Sequence, residues 1–288
     1  MKRPAIQKGL DLPKNVLVTI CIPVYNEEAQ IDEVVRNALS QTYRPLEIVI
    51  LDNASTDRTF ELCERWAQMH PEIRLHRHES NIGGWANLQI GLRLARGEFF
   101  CWLAADDRKS HNFIESNVTF LGANPGFVGV TGKEYFGDEI RTFDLSGETR
   151  IERIREFRTY CWRSNGLFYG LFRLSALETF PPQRPIFGAD WAVLFWSLAA
   201  GRIGRNTDTS IVIGTGGLSN SANRYSFFRK KLAFWFKPFG DLEKQTLGWD
   251  FWFPEERRAL KRSFAKLNLR AAVDQFRFEV RSSVAKGK

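Results

Sequence analysis

The chain has 288 residues and a formal net charge of +8 at pH 7, with 43% hydrophobic and 26% charged residues. These values are typical of a globular, soluble protein that is large enough to bury a sizeable core. No apolar run approaches the ~18 residues that a membrane-spanning helix needs, and the polar N-terminus lacks a signal-peptide core. We therefore expect a cytoplasmic protein.

Cysteine spacing and charge distribution narrow the class further. The four cysteines, Cys21, Cys63, Cys101 and Cys161, have neither zinc-ligand spacing nor the pattern of a disulfide framework, so free thiols are expected. From Arg224 to Lys288 there are 16 Lys or Arg against 7 Asp or Glu, a local net charge of +9. The basic character of the protein is therefore a property of its C-terminal region.

Apolar runs alternate with helical patterns through the first part of the chain. Strands are predicted over 16–23, 46–52, 73–78 and from Phe99, with intervening helices over 31–39, 60–66 and 85–95. A further helix over 113–121 and a strand over 127–131 follow, whereas 133–148 gives no clear pattern. Parallel strands with right-handed helical crossovers are expected, as in nucleotide-binding α/β sheets.

Polar residues follow three of these strands where they end. Tyr25-Asn26-Glu27 follow the first, Asp52 ends the second, and the run from Phe99 stops on Asp106-Asp107. Since ligand sites in open α/β sheets lie beyond the carboxyl ends of strands, these side chains should meet at one edge. A nucleotide base can stack on Tyr25 while Asp52 accepts a hydrogen bond from a ring N–H.

The Asp106-Asp107 pair has two interpretations when it is taken alone. Adjacent carboxylates repel each other unless a cation lies between them or one takes up a proton, and Mg²⁺ is typically held by one or two carboxylates with substrate phosphates. Alternatively, the pair is a solvated turn that caps the next helix. Taken singly, Tyr25 is also compatible with a surface aromatic residue, and Asp52 with a helix-cap partner.

The succession of motifs resembles the family 2 glycosyltransferases, which have a GT-A fold. The resemblance runs in order over about residues 16–205, through Val18 to Glu28, Ser40-Gln41-Thr42-Tyr43 with Glu47-Ile48, Asp52 to Asp57, Asn81-x-Gly83 with Asn87, Ala95 to Glu98 and Ala105-Asp106-Asp107. It implies an α/β nucleotide-binding sandwich with a mostly parallel central sheet. By resemblance, the donor-binding positions are Pro23, Tyr25, Asn26, Glu27, Asp52, Asn81, Gly83, Asn87, Ala105, Asp106 and Asp107.

The resemblance also implies a metal and a catalytic base. Asp106, with Asp107 beside it, is the position that holds Mg²⁺ or Mn²⁺ against the donor diphosphate. The segment 166–173 resembles the strand with a Phe-Arg pair, and 187–201 resembles the helix whose Asp is the base, here Asp190. The sequence departs from the family at Ala104, often Asp, and at Ala189, usually Glu. From the residues alone, Asp190 is equally compatible with a helix N-cap.

Other polar residues give weaker signals. His76 and His78 share a strand face and would suit a metal or plain solvent exposure, and His111 is either near the diphosphate or at a surface helix start. The glycine-rich run from Gly214 to Ser221 lacks P-loop context and is interpreted as a segment that closes over the donor.

The C-terminal region combines aromatic and basic residues. There are 11 Phe, Trp or Tyr residues between Tyr225 and Phe253, with Phe228, Leu232, Trp235, Phe236 and Phe239 at helical spacing. A second amphipathic helix is predicted from Pro254, with Leu260, Phe264, Leu267 and Ala271 on one side. This pattern favours either docking on an anionic membrane surface or packing against the catalytic domain or a partner subunit. Nucleic-acid binding is not expected, because no reading motif is present.

The resulting prediction is a single-addition, inverting glycosyltransferase of cell-envelope polysaccharide biosynthesis. It would transfer a sugar from a nucleotide donor, expected to be a UDP-sugar, to a hydroxyl of a glycan or lipid-linked acceptor, and self-association is left open. The expected organisation is an N-terminal extension (1–15), a catalytic domain (16–222, with halves 16–107 and 108–222) and a C-terminal region (223–288). The alternative is a non-catalytic member that binds a nucleotide sugar or a glycan.

Overall fold

The computed structural model describes residues 16–160, 166–181, 184–214 and 233–286. Its strands are β1 (Val18–Val24), β2 (Leu46–Asp52), β3 (Ile73–Arg77), β4 (Phe99–Trp102), β5 (Arg108–Lys109), β6 (Phe127–Phe136), β7 (Glu139–Arg141), β8 (Leu171–Arg173) and β9 (Arg202–Val212). Its helices are α1 (Ile31–Leu39), α2 (Thr59–Met69), α3 (Gly84–Leu94), α4 (Phe113–Ala123), α5 (Arg150–Tyr160), α6 (Leu174–Leu177), α7 (Ala189–Ala200), α8 (Ala233–Phe236), α9 (Gly240–Gly248) and α10 (Pro254–Lys286).

The described strands form one sheet in the order β3-β2-β1-β4-β8-β6-β9-β5, with β7 paired to the outer part of β6. Strands β3, β2, β1 and β4 are parallel to one another, which confirms the predicted crossovers. Strand β8 is antiparallel to both of its neighbours, β4 and β6, while β6 and β9 are parallel. The sheet is therefore parallel from β3 to β4 and mixed beyond β4.

The central strands are apolar on both faces because helices cover both sides of the sheet. On one face Ile20 and Ile50 pack in a core with helices α1, α2 and α4. On the other, Cys21 and Leu51 join a second core that includes α3, α7 and α10. The alternation of side chains along a strand explains why consecutive residues of β1 enter different cores.

Strand register places the predicted site residues at one edge. Val24 of β1 is opposite Asp52 of β2, and Asp52 is opposite Arg77 of β3. On the other side of β1, Trp102 of β4 pairs with Cys21, and the chain then leads directly to Asp106 and Asp107. The carboxyl ends of three parallel strands thus deliver polar residues to the same edge.

Several predicted elements have different bounds in the structure. The strand after Phe99 ends at Trp102, and the strand predicted over 127–131 continues to Phe136, where it pairs with β7. Hydrogen bonding to β9 and β7 sustains this extension, although its sequence is polar. The strand within 166–173 is confined to Leu171–Arg173, because turns occupy the preceding residues.

Four aromatic residues between Phe239 and Trp252 lie in the core. Phe239, Trp249, Phe251 and Trp252 are buried, and the rings of Trp249 and Phe251 lie 5.2 and 5.3 Å from that of Trp196 in α7. The interfacial-helix interpretation is therefore wrong for Phe239, which packs inward, and this group packs against α7. Phe228 and Leu232 lie outside the described residues.

Helix α10 confirms the second amphipathic pattern. Its predicted apolar side, formed by Leu260, Phe264, Leu267 and Ala271, is buried, with the Phe264 ring 5.2 Å from that of Phe195. Across the described residues no helix is both long and apolar enough to cross a membrane. Cys21, Cys63 and Cys101 are buried free thiols, as expected, and Cys161 lies outside the described part.

Candidate active site

The loop after β1 is hydrogen-bonded to the loop after β2. Asn26 has a φ of +56°, its backbone N–H donates to Ser55 Oγ at 3.0 Å, and its Oδ1 accepts from the Thr56 backbone N–H at 2.8 Å. An Asn tolerates this left-handed conformation better than most residues. The Tyr25 side chain is exposed, and Glu27 donates its backbone N–H to Thr59 Oγ1 at 2.7 Å.

Asp52 is fully buried at the end of β2 and pairs with a residue that the sequence did not single out. Its Oδ2 lies 3.3 Å from Arg77 Nε, and its carboxylate accepts the Ser55 backbone N–H at 3.2–3.3 Å. The Arg77 guanidinium also donates to Ser55 O and lies 4.1 Å above the Phe60 ring. The position of Arg77 at the end of β3, opposite Asp52 in strand register, is the feature from which this pairing could have been predicted.

The turn after β3 is organised around Asn81. Asn81 Oδ1 accepts from the backbone N–H of Gly83 at 2.8 Å and from Asn53 Nδ2 at 3.0 Å, while Asn53 Oδ1 accepts the Ile82 N–H at 2.9 Å. Gly83 has a φ of +86°, a conformation that L side chains rarely adopt. These bonds fix the turn from which α3 starts, next to the Asp52 edge.

Asn87 is buried, and both polar atoms of its side-chain amide have hydrogen-bond partners. Its Nδ2 donates to Leu51 O at 3.0 Å, and its Oδ1 lies 2.9 Å from His78 Nε2. The side chain therefore holds α3 and the end of β3 against β2 in this arrangement. The rings of His76 and His78 meet in an edge-type contact with 4.9 Å between centroids, and the described residues contain no group of three or more metal-ligating side chains.

Asp106 and Asp107 lie in different environments. Asp106 is half-buried, and a Cβ on Gly214 would collide with its carboxylate, so that the glycine backbone passes close by. Asp107 is buried; its Oδ1 accepts the Gly214 N–H at 2.8 Å, and its Oδ2 has no hydrogen-bond partner among the described residues. Burial raises the pKa of Asp107 to about 6, and the charge of Asp106 adds to the rise.

Arg108 and Lys109 stabilise the segment that carries this pair. Arg108 donates to the backbone oxygens of Ala105 at 3.0 Å and Asp107 at 2.6 Å. Lys109 is buried, and its Nζ donates to Trp102 O at 3.1 Å and to Tyr169 O at 2.8 Å. Burial lowers the pKa of Lys109, opposed by the nearby Asp107. Sequence reasoning missed Lys109 because nothing local distinguishes it from a surface lysine.

Tyr169 links the two halves of the site. It lies in the turn before β8, and burial raises the pKa of its hydroxyl above the usual range. The charges of Asp107, Asp190 and Asp106 add to that rise, so all three carboxylates act on one phenol. Burial raises the pKa of Glu27, and the charge of Asp106 adds to that rise, so Asp106 also acts on the loop after β1.

Asp190 is the second residue of α7. Gly188, with a φ of +77°, is the N-cap residue of this helix, so the N-cap interpretation of Asp190 is wrong. Burial raises the pKa of Asp190 to about 6, while hydrogen bonds from the backbone N–H groups of Trp191 and of Asp190 itself oppose the rise. The apolar residues that follow in α7 are buried, which holds this carboxyl on a rigid element.

The structure also places His111 and the start of the glycine-rich run. The His111 ring nitrogen Nδ1 is 3.3 Å from Ser40 O, at the junction of α1 and α4, which favours the surface interpretation over diphosphate contact. Of the glycine-rich run, Gly214 is in contact with the aspartate pair, and the rest lies outside the described residues.

The donor set of Asp106 and Asp107 fits a hard divalent cation. A buried carboxylate oxygen without a partner is costly unless a cation or proton meets it, and Asp107 Oδ2 is such an atom. Two carboxylates are too few ligands for a closed metal site, but they match the pattern in which Mg²⁺ or Mn²⁺ takes its other ligands from a substrate diphosphate and water.

Solved structures share this architecture. S. aureus TarS (residues 1–349) superposes with a TM-score of 0.60 at 16% identity, over 90% of this chain and 91% of that one. The mannosyltransferase PcManGT from Pyrobaculum calidifontis, solved with GDP-Man and Mn²⁺, gives a TM-score of 0.61 at 19% identity, over 95% of this chain and 75% of that one. The fold is therefore of the GT-A type.

The sequence comparison identifies the family. Residues 19–178 match the family model described as Glycosyl transferase family 2, and the chain belongs to that family. An uncharacterized glycosyltransferase of Haemophilus influenzae is 34% identical over 108 residues, which are 38% of this chain and 33% of that protein. Glycosyltransferase GlyG of Streptococcus pneumoniae is 33% identical over 101 residues, 35% of this chain and 33% of GlyG. The chain thus matches about a third of the length of these relatives.

Proposed function

We propose that this protein is a metal-dependent, inverting glycosyltransferase that uses a nucleotide-sugar donor. The observation that carries the proposal is the grouping of Asp190 with Asp106 and Asp107 around Tyr169, which puts a candidate base and a candidate metal site in one electrostatic neighbourhood. Family membership supports glycosyl transfer as the reaction class.

Asp190 is the proposed base. Its carboxylate takes the proton from an acceptor hydroxyl while that oxygen forms a bond to the anomeric carbon of the donor sugar. The bond between the anomeric carbon and the diphosphate oxygen breaks on the opposite face, the nucleoside diphosphate leaves with the bonding electrons, and the configuration inverts. A pKa of about 6 leaves Asp190 ionised at neutral pH and basic enough to accept a proton.

Asp106 and Asp107 are proposed to hold Mg²⁺ or Mn²⁺ against the donor diphosphate. Such a cation disperses the negative charge of the leaving group when it is bound. The Gly214 N–H donates to the Asp107 carboxylate, and the buried Lys109 joins the backbone oxygens of Trp102 and Tyr169 beside the pair. Ala105 is buried between β4 and this pair and is proposed to contribute backbone contacts to the donor.

The nucleobase is proposed to lie between Tyr25 and the Asp52–Arg77 pair, with Pro23, Asn26, Glu27, Asn81, Gly83 and Asn87 shaping this pocket. Asp52 can accept from a ring N–H, and a guanidinium has more N–H groups than Arg77 uses for Asp52 and Ser55, so it can also donate to a base carbonyl. Uracil and guanine both offer a ring N–H beside a carbonyl, whereas cytosine and adenine in nucleotides do not. We favour a UDP-sugar; TarS was solved with UDP-GlcNAc and PcManGT with GDP-Man.

A thermal-shift panel tests the nucleotide and metal assignments together. UDP or GDP with Mn²⁺ should raise the melting temperature, because a bound ligand increases the free energy of unfolding by RT ln(1 + [L]/Kd). ADP and CDP should leave the melting temperature unchanged. Chelation with EDTA should remove the shift. Asp106→Asn should lose the response to Mn²⁺, and Glu61→Gln, an exposed acid of α2, serves as the matched control. An equal response to all four nucleotides would contradict the proposed Asp52–Arg77 contact.

Asp190→Asn tests the base directly. It should retain donor binding and reduce transfer by roughly 10²-fold or more, because general base catalysis typically contributes that much. The variant should fold, with a melting temperature no lower than that of the wild type, since a carboxyl whose pKa is raised by burial destabilises the fold when it is ionised. Unchanged turnover of a radiolabelled donor would remove Asp190 from this role.

The rival proposal is a non-catalytic member that binds a nucleotide sugar or a glycan, consistent with Ala104 and Ala189 at the positions where the family resemblance implies acidic residues. Turnover of the donor, by transfer or by slow hydrolysis in the presence of Mn²⁺, separates the two. A donor that binds and stabilises the protein but is never consumed would favour the binding module.

The acceptor is proposed to be a hydroxyl of a glycan or of a lipid-linked glycan in cell-envelope polysaccharide biosynthesis. We also propose a cytoplasmic location at the inner face of the membrane, a functional boundary near residue 222, and self-association of the chain. The buried aromatic residues next to α7 support a C-terminal region that lies close to the acceptor side.

A further inference from the structure

The outer face of α10 carries apolar residues that do not enter the core. Leu269 is 68% exposed and Phe276 49%, and Val273 lies between them on the same face, at spacings of four and three residues. Phe236 of α8, 65% exposed, brings its ring to 6.4 Å from that of Phe276. We call these four residues the outer ridge. Residues i, i+4 and i+7 of a helix lie above one another, so the ridge is continuous.

Basic residues border this ridge. Lys266, Arg270 and Arg277 are exposed on α10, and from Arg257 to Arg277 the helix carries 7 Lys or Arg against a single acidic residue, Asp274. The buried side of the same helix is already packed against α5 and α7 through Phe264 and its neighbours. The outer ridge is therefore a second apolar stripe on a helix whose first stripe is used for folding.

We propose that the outer ridge docks on the surface of an anionic phospholipid bilayer. Leucine, valine and phenylalanine side chains gain by entering the boundary between headgroups and acyl chains, and neighbouring Lys and Arg gain from the negative surface potential. A second copy of the chain is disfavoured as the partner, because it would bring two clusters of like charge together. A nucleic acid would leave the aliphatic side chains unused, since such interfaces are polar.

The ridge is connected to the proposed active site through α8. The ring centroids of Phe234 and Phe187 lie 5.5 Å apart, and Phe187 precedes Asp190 by three residues. The ring centroids of Trp235 and of Phe276 in the ridge lie 5.7 Å apart. Phe239 closes the connection by stacking on Trp191 at 4.7 Å. A bilayer under the ridge would therefore lie beside the element that presents Asp190, where an acceptor carried on a lipid would enter. This last step rests on the proposed transferase function, whereas membrane docking does not.

Flotation with lipid vesicles tests the docking without any catalytic readout. The full-length protein should float with vesicles of equal parts phosphatidylglycerol and phosphatidylcholine, and should not float with phosphatidylcholine alone. Leu269→Ser with Val273→Ser should reduce binding at least about tenfold, because two apolar anchors are lost. Ile140→Ser is the matched control, since Ile140 is 60% exposed on β7 and belongs to another element.

Each outcome decides the proposal. Lys266→Glu with Arg277→Glu should also weaken binding, as should about 0.5 M salt, because the charges act through a screened field. Equal flotation of the wild type and the Leu269/Val273 variant, or no flotation of the wild type, would overturn it. A second copy would be the partner if analytical ultracentrifugation shows a dimer of the wild type that the Leu269/Val273 variant does not form, and if the wild type does not bind vesicles. RNA binding whose affinity falls steeply with salt concentration, and which the Ser substitutions do not weaken, would identify a nucleic acid as the partner.

Discussion

At the scale of single residues, burial separates carboxyl groups that the sequence presents as equivalent. Asp106 and Asp107 are neighbours, yet only Asp107 is buried with an unpartnered oxygen and a raised pKa. Asp190 reaches a similar pKa on a different element, although the N–H groups at the start of α7 oppose the rise. Desolvation therefore outweighs hydrogen bonding at both positions, which is a common property of functional carboxyls.

The raised pKa of Asp190 predicts a pH dependence for transfer. A base must be deprotonated, so kcat/KM at saturating Mn²⁺ should rise with pH up to about 6 and then level off. Well below that pH, the rate should fall by about tenfold for each pH unit, since one proton blocks the base. Initial rates between pH 4.5 and 8.5 measure this profile. A flat profile across the range would contradict a base with the pKa of Asp190.

At the scale of elements, the family motifs divide between the site and the scaffold. Asp52 and Asp106-Asp107 lie at the carboxyl ends of the strands, whereas Glu47 lies at the opposite end of β2. Its carboxylate accepts from Thr19 Oγ1 at 2.7 Å, from Arg74 at 2.6 Å and from the Arg96 backbone N–H at 2.9 Å. These bonds tie β1, β2, β3 and the segment before β4 together. The motif residue Glu47 is therefore a structural residue.

Glu47→Ala is expected to destabilise the protein by about 2–4 kcal/mol, because it leaves Thr19 and the Arg74 guanidinium without their buried partner. Glu61→Ala is the control and should change stability far less, since Glu61 also pairs with an arginine, Arg58, but at the exposed surface, where solvent screens the pair. Urea unfolding curves give both values. Equal effects of the two substitutions would show that the Glu47 network contributes little.

At the scale of the whole molecule, residues distant in sequence complete the core. Helix α10 begins 54 residues after Ala200, the last residue of α7, yet Phe264 and Leu260 pack in the same core as Phe195. Arg150 of α5 adds polar contacts, donating to Ala199 O at 2.8 Å and pairing with Glu256 at 3.5 Å. The described C-terminal helices thus support α7, the element that holds Asp190.

Phe264→Ala should therefore destabilise the whole molecule by about 3–5 kcal/mol, the usual cost of a buried Phe truncation. Differential scanning calorimetry should show one unfolding transition at a lower temperature. Leu269→Ala, an exposed residue of the same helix, should change stability by less than about 0.5 kcal/mol. A separate low-temperature transition for Phe264→Ala, with the main transition unchanged, would indicate that α10 unfolds independently.

The sequence by itself determined the first four strands, their parallel crossovers and the edge at which Tyr25, Asp52 and Asp106 emerge. It could do so because uninterrupted apolar strands and amphipathic helices are local patterns. It also gave the family, through motifs in their expected order. The tertiary structure decided what depends on distant partners: the pairing of Arg77 with Asp52, the burial of Lys109, and the inward packing of Phe239. These features depend on which groups exclude water from one another, and no local pattern carries that information.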